Sequence, residues 1–135
     1  MKYFVLSVVC LISVVQGGLL TDEQKQKIMQ IHAECLKETG VDEAITLQAQ
    51  KGEYVDDPKL KKQIFCFNKK AGFQNEAGEL QIDKIKANLM EMIKDSEKAD
   101  ELIKQCNIKK ENGEETAFAV TKCFHNLAPN KDFLA

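Results

Sequence analysis

Along most of the chain, apolar side chains return every third or fourth position, the period of a helix with one buried face. Thr21 opens a capping box with Gln24, and Ile28, Ile31 and Cys35 mark one face of a first helix that stops near Gly40. Asp42 caps a short second helix around Ala44 to Gln48, and Gly52 to Asp57 reads as a loop. Asp57-Pro58 is a cap followed by proline at the first helical position, and it starts a third helix with Leu60, Ile64, Phe67 and Ala71 on one stripe. Gly72 fits its stop. After the turn-like QNEAGEL, a fourth helix carries Ile82, Ile85, Leu89, Met92 and Ile93. Ser96 is read as the cap of a fifth, with Ala99, Leu102, Ile103 and Cys106 inward. A sixth runs from about Glu114, with Ala117, Val120, Phe124 and Leu127 inward, and Pro129 ends it before a short tail, NKDFLA. No stripe is apolar all round, so six short helices must cover one another's apolar faces in an all-α globule.

The N-terminus breaks this pattern. Lys2 is followed by an unbroken apolar run from Tyr3 to Val15, and a small residue, Gly17, stands at the expected cut. We therefore expect residues 1–17 to be a secretory signal peptide and residues 18–135 to be the mature domain, secreted and extracellular. Losing Lys2 moves the formal charge from −2 to −3. All the basic residues are lysines, and a slightly acidic chain without arginine is a poor match for nucleic acid. Nothing in the pattern marks a membrane-binding surface.

Cys35, Cys66, Cys106 and Cys123 remain after Cys10 leaves with the leader. An even count in a small secreted domain reads as two disulfides, and four cysteines allow three connectivities. No pair is spaced as a zinc hook, so neither a metal nor another cofactor is expected. The two histidines, His32 and His125, have no catalytic neighbours in sequence, and no nucleophile, phosphate-loop, metalloprotease or calcium-loop motif occurs. Enzyme activity is not expected, and no catalytic residue is assigned.

The cysteine spacing carries more. Thirty residues separate Cys35 from Cys66, 39 separate Cys66 from Cys106, and 16 separate Cys106 from Cys123. Around them stand CFNKKAGFQNEAGEL and EETAFAVTKCFHNLAP. With the leader and six short helices, this resembles the insect odorant-binding proteins, also called the pheromone- and general-odorant-binding family, over the whole mature chain. Members usually have six cysteines. The resemblance places the absent second and fifth at Lys62 and Glu114, which makes the chain similar to the four-cysteine, C-minus subclass. It implies the disulfides Cys35–Cys66 and Cys106–Cys123. The vacated positions hold opposite charges, so Lys62 is expected to pair with Glu114 or Glu115 across the gap.

The resemblance also implies a function and a site. The function is extracellular carriage of small hydrophobic ligands, volatile odorants or pheromone-like molecules, in an internal apolar cavity. The site residues it implies are Ile31, Phe73, Leu80, Leu89, Met90, Ile93, Ala117, Val120 and Phe124, with Phe133 and Leu134 from the tail and Asn68 as the polar contact. The expected partners are the ligand itself, a membrane odorant receptor only indirectly, and at most a weak dimer mate. Two other readings stay open: a secreted carrier of non-volatile lipids or hormones outside the sensory system, and a non-binding helical signalling protein.

Overall fold

The computed structural model describes residues 21–127. Six helices follow one another: α1 Asp22–Thr39, α2 Glu43–Gln50, α3 Pro58–Ala71, α4 Ile82–Ile93, α5 Ser96–Cys106 and α6 Gly113–Leu127. Among the described residues there is no strand, only an isolated antiparallel bridge between Gln74 and Leu80 in the turn after α3. The all-α expectation and the helix count hold. The proposed cleavage after residue 17, Pro129 and the tail lie outside the described residues.

The local signals explain most of the boundaries. Thr21 and Gln24 form the reciprocal capping box, each side chain taking a backbone N–H of the other. Asp42 accepts from Ala44 N, and Asp57 accepts from Lys59 N and Leu60 N. Gly40 and Gly72 end α1 and α3 in the left-handed conformation that a side chain disfavours. One cap is displaced. Asp95, not Ser96, caps α5, its carboxylate accepting from Glu97 N and Lys98 N, while Ser96 is the first helical residue. A carboxylate at the positive end of the helix is the stronger acceptor. Leu127 also departs from expectation. It is 42% exposed in the last turn of α6.

α3 is the central element, packing on α1 on one side and α6 on the other, while α5 bridges α4 to α6. Cys35–Cys66 pins α1 to α3, and Cys106–Cys123 pins the end of α5 to α6, as the resemblance implied. Three apolar clusters result among the described residues. One, between α1 and α3, holds Ile31 with Cys35 and Cys66, and Phe67 and Ala71 pack on it. A second, around Val41, Ala49 and Leu60, gathers Ile64, Tyr54 and Phe118. The third lies among α4, α5 and the turn after α3.

Candidate ligand site

That third cluster has a buried base and a looser rim. Ile85, Leu89, Ala99 and Ile103 are buried, and Phe73, Leu80, Ile82, Met90, Met92, Ile93 and Phe124 pack around them only partly buried. Leu89 and Met90 come from neighbouring positions on α4, Phe124 from α6, and Phe73 and Leu80 from the two ends of the turn that the Gln74–Leu80 bridge closes. Six of the expected site residues therefore meet here: Phe73, Leu80, Leu89, Met90, Ile93 and Phe124. Ala117 and Val120 are buried on α6 at 0% and 3% exposure. Ile31 stands apart, in the α1–α3 cluster. Phe133 and Leu134 lie outside the described residues. Half-buried Met and Phe side chains on a fully buried base make an adaptable apolar wall.

The turn that carries Phe73 and Leu80 is docked by polar groups the sequence reading passed over. Asn68 O accepts from Phe73 N at 2.8 Å, and Phe73 O accepts from Gln81 N at 2.8 Å. Gln74 is 2% exposed. Its Nε2 donates to Gly78 O at 2.9 Å and Gly113 O at 3.3 Å, and its Oε1 accepts from Asn68 Nδ2 at 2.8 Å. The backbones touch here: a Cβ on Gly78, whose φ is +87°, would lie 2.5 Å from Gly113 Cα, and one on Gly113 would lie 2.5 Å from Phe65 Cζ. Glycine at 78 lets the turn lie on the start of α6, and glycine at 113 leaves room for the Phe65 ring of α3. The signal for this was present as the two glycines themselves, but nothing in the sequence says which distant backbone a glycine meets.

The charge pair across the α3–α6 gap exists one residue away from where it was expected. Lys61 Nζ contacts Glu115 Oε2 at 2.9 Å and Asp56 Oδ1 at 2.7 Å, and sits 5.2 Å from the centre of the Phe118 ring. Lys62 is exposed and pairs with neither Glu114 nor Glu115. One step along a helix turns a side chain by about 100°, so Lys61 faces α6 and Lys62 faces water. Hydrogen bonds to Asp56 and then Glu115 raise the Lys61 pKa, and the hydrogen bond from Lys61 lowers that of Asp56.

The two histidines differ. Gln63 Nε2 lies 3.3 Å from His32 Nδ1 and 3.3 Å from His32 O. His125 is 4% exposed, and its Nδ1 has no hydrogen-bond partner among the described residues. Its ring packs edge-on to Tyr54 with centroids 5.7 Å apart, and Tyr54 packs edge-on to Phe118 at 6.0 Å. A Cβ on Gly52 would lie 3.0 Å from His125 Nε2. No group of three metal-ligating side chains gathers among the described residues. An open cleft of about 410 Å³ lies between the end of α1 and the starts of α2 and α3, lined by Gly40, Asp42, Ile45, Asp57, Pro58 and Lys59. Asp42 and Asp57 are both spent on helix caps, and no expected site residue among the described residues lines it.

With helices, staples and apolar wall in place, comparison with known proteins is decisive. A family model described as PBP/GOBP matches residues 18–127. The chain belongs to the PBP/GOBP family. Among its relatives is the B2 protein of Tenebrio molitor, 38% identical over 120 residues, covering 89% of this chain and 94% of that one. A carrier protein from the yellow mealworm is 38% identical, with TM-score 0.59 over 70% of this chain and 88% of that one. A fatty acid binding protein from the oral disk of the blowfly Phormia regina is 28% identical, with TM-score 0.66 over 79% of this chain and 93% of that one. The PBP/GOBP family consists of binding and carrier proteins rather than enzymes, and its members bind odorants and lipids. No described helix of this member is long and apolar enough to cross a membrane.

Proposed function

We propose that this protein is a secreted carrier that shelters a small hydrophobic molecule, of odorant or pheromone type, and moves it through aqueous extracellular fluid. The observation that carries this is the third cluster, where Phe73, Leu80, Met90, Ile93 and Phe124 surround a buried apolar base without themselves being fully covered. An apolar guest seated among them removes both its own surface and theirs from water, at roughly 25 cal/mol per Å². The proposed lining is that set with Leu89, Ala117, Val120 and Ile31, Asn68 as polar contact, and Phe133 and Leu134 from the tail. For a guest of about 10 to 15 heavy atoms, roughly 0.5 kcal/mol per atom gives affinity in the micromolar range. Two disulfides support secretion, since such bonds persist in oxidising compartments. Residues 1–17, outside the family match, are proposed as the leader.

The deciding experiment is displacement of N-phenyl-1-naphthylamine from the mature protein by small terpenoids and aromatic alcohols. Micromolar displacement is expected, and Met90→Ala with Phe124→Ala should weaken it. A probe that never binds would end the carrier reading and leave a helical signalling protein. A second reading, carriage of non-volatile lipid, is favoured by the blowfly neighbour described as fatty acid binding. Long-chain acids displacing the probe better than any volatile would establish it.

A further inference from the structure

The buried base of the candidate site is built within one helical hairpin. Ile85 and Leu89 come from α4, Ala99 and Ile103 from α5, and Lys86 Nζ lies 2.9 Å from Asp100 Oδ1 across the same pair. Lys94, at φ +58°, makes the tight reversal between the two helices. A helix pair with its own core and a short turn moves as one body. Of the side chains packed on that base, only Phe124 comes from outside the hairpin and the turn that leads into it. The hairpin is firmly held at one end. Before α4, Gln81 N donates to Phe73 O, and Gln74 Nε2 ties the turn to Gly113 O. After α5, Cys106–Cys123 binds it to α6. The tip lies about 18 Å away, along the 12 residues of α4, and is held differently. Gln24 Nε2, in the first turn of α1, donates to Glu91 Oε2 at 3.1 Å. Among the described residues this is the one side-chain hydrogen bond or ion pair that joins α4 to a helix other than α5. It is exposed, so water replaces it at little cost. The capping box aims it: Gln24 Oε1 is occupied by Thr21 N at 2.9 Å, which leaves the amide nitrogen for Glu91.

We infer that the α4–α5 hairpin is a flap that admits ligand to the candidate site, hinged at the docked turn and Cys106–Cys123 and latched at its tip by Gln24 on Glu91. Opening parts Met90 and Ile93 from Phe124, and the disulfide at the hinge keeps the chain folded while it happens. This inference rests on the carrier reading and deepens it by naming the gate.

The test is Gln24→Glu. Glutamate also serves in a capping box and suits the first turn of a helix, so α1 is kept, while the donor facing Glu91 becomes a second carboxylate. Stopped-flow release of N-phenyl-1-naphthylamine from the mature protein should be about two- to tenfold faster than in the wild type. Adding Glu91→Gln restores the pair with donor and acceptor exchanged, and should return release to near the wild-type rate. Relaxation dispersion on the ligand-free protein should show the amides of α4 and α5 exchanging at one common rate, with a larger open population in Gln24→Glu. Unchanged release in Gln24→Glu, or faster release that Glu91→Gln does not restore, overturns the latch and leaves the carrier reading standing. Helices α4 and α5 without a common exchange rate overturn the flap. A probe that never binds the wild type overturns the carrier reading and the gate with it.

Discussion

Tyr54 shows what burial does to one side chain. Its ring lies between Phe118 and His125, and burial pushes its hydroxyl from a pKa of 10.0 up to about 12. The sign follows from the proton count. Between pH 10 and about 12 the unfolded chain releases the tyrosine proton while the folded chain keeps it, so the unfolded state is favoured. Stability contributed at Tyr54 is therefore whole below pH 10 and declines as pH rises toward 12. Urea titrations should show this alkaline loss in the wild type and a smaller one in Tyr54→Phe; identical curves would count against burial as the cause. Tyr54 is legible as a loop aromatic in the sequence. Its two ring partners come from α6, more than sixty positions away, and nothing local announces them.

On the scale of single elements, the helix ends were the most readable part of the chain. Thr21, Asp42, Asp57, Gly40 and Gly72 act through neighbours within four residues, so their roles are written locally. Even the displaced cap at Asp95 is a choice between adjacent residues. Contacts between elements were less readable. The link from α3 to α6 is carried by Lys61, which also ties in the loop ahead of α3 through Asp56. Helical phase alone separates it from exposed Lys62. An ion pair at a partly exposed site is screened by salt, whereas a disulfide is not. Hydrogen exchange in the first turn of α6 should accelerate in Lys61→Gln. Raising salt to 1 M should accelerate it in the wild type and leave the variant unchanged. A wild type insensitive to salt would mean that the pair does not hold α6. The lowered Asp56 pKa keeps its bond to Lys61 charged toward lower pH, and the raised Lys61 pKa keeps the lysine charged toward higher pH.

Over the whole molecule the two disulfides dominate. Cys35–Cys66 spans 31 positions and Cys106–Cys123 spans 17, and loop closure of those lengths stabilises by roughly 3 to 4 kcal/mol each. A typical domain has about 5 to 15 kcal/mol in total. Replacing Cys106 and Cys123 together by serine should lower the urea midpoint by an amount equivalent to about 3 kcal/mol, and Cys35 with Cys66 by slightly more. Reducing both bonds should leave the chain near its unfolding threshold at 37 °C. A fully reduced protein that melts where the oxidised one does would show that the helices suffice without staples.

What the sequence determined alone was whatever depends on near neighbours and on count: six amphipathic helices, most of their caps, and an even set of four cysteines whose pairing came only from the family resemblance. Six expected site residues also meet in one cluster, because helical period puts Leu89 and Ile93 on one face and the Gly72 stop sends Phe73 back across it. Only the tertiary structure decided which lysine reaches α6, that Ile31 belongs to a different cluster, and that His125 is buried. It also decided the direction of the Gln74 amide. A side-chain amide looks the same in sequence whichever way it points, and here its direction is set by two backbone carbonyls, one of them 39 residues further along the chain.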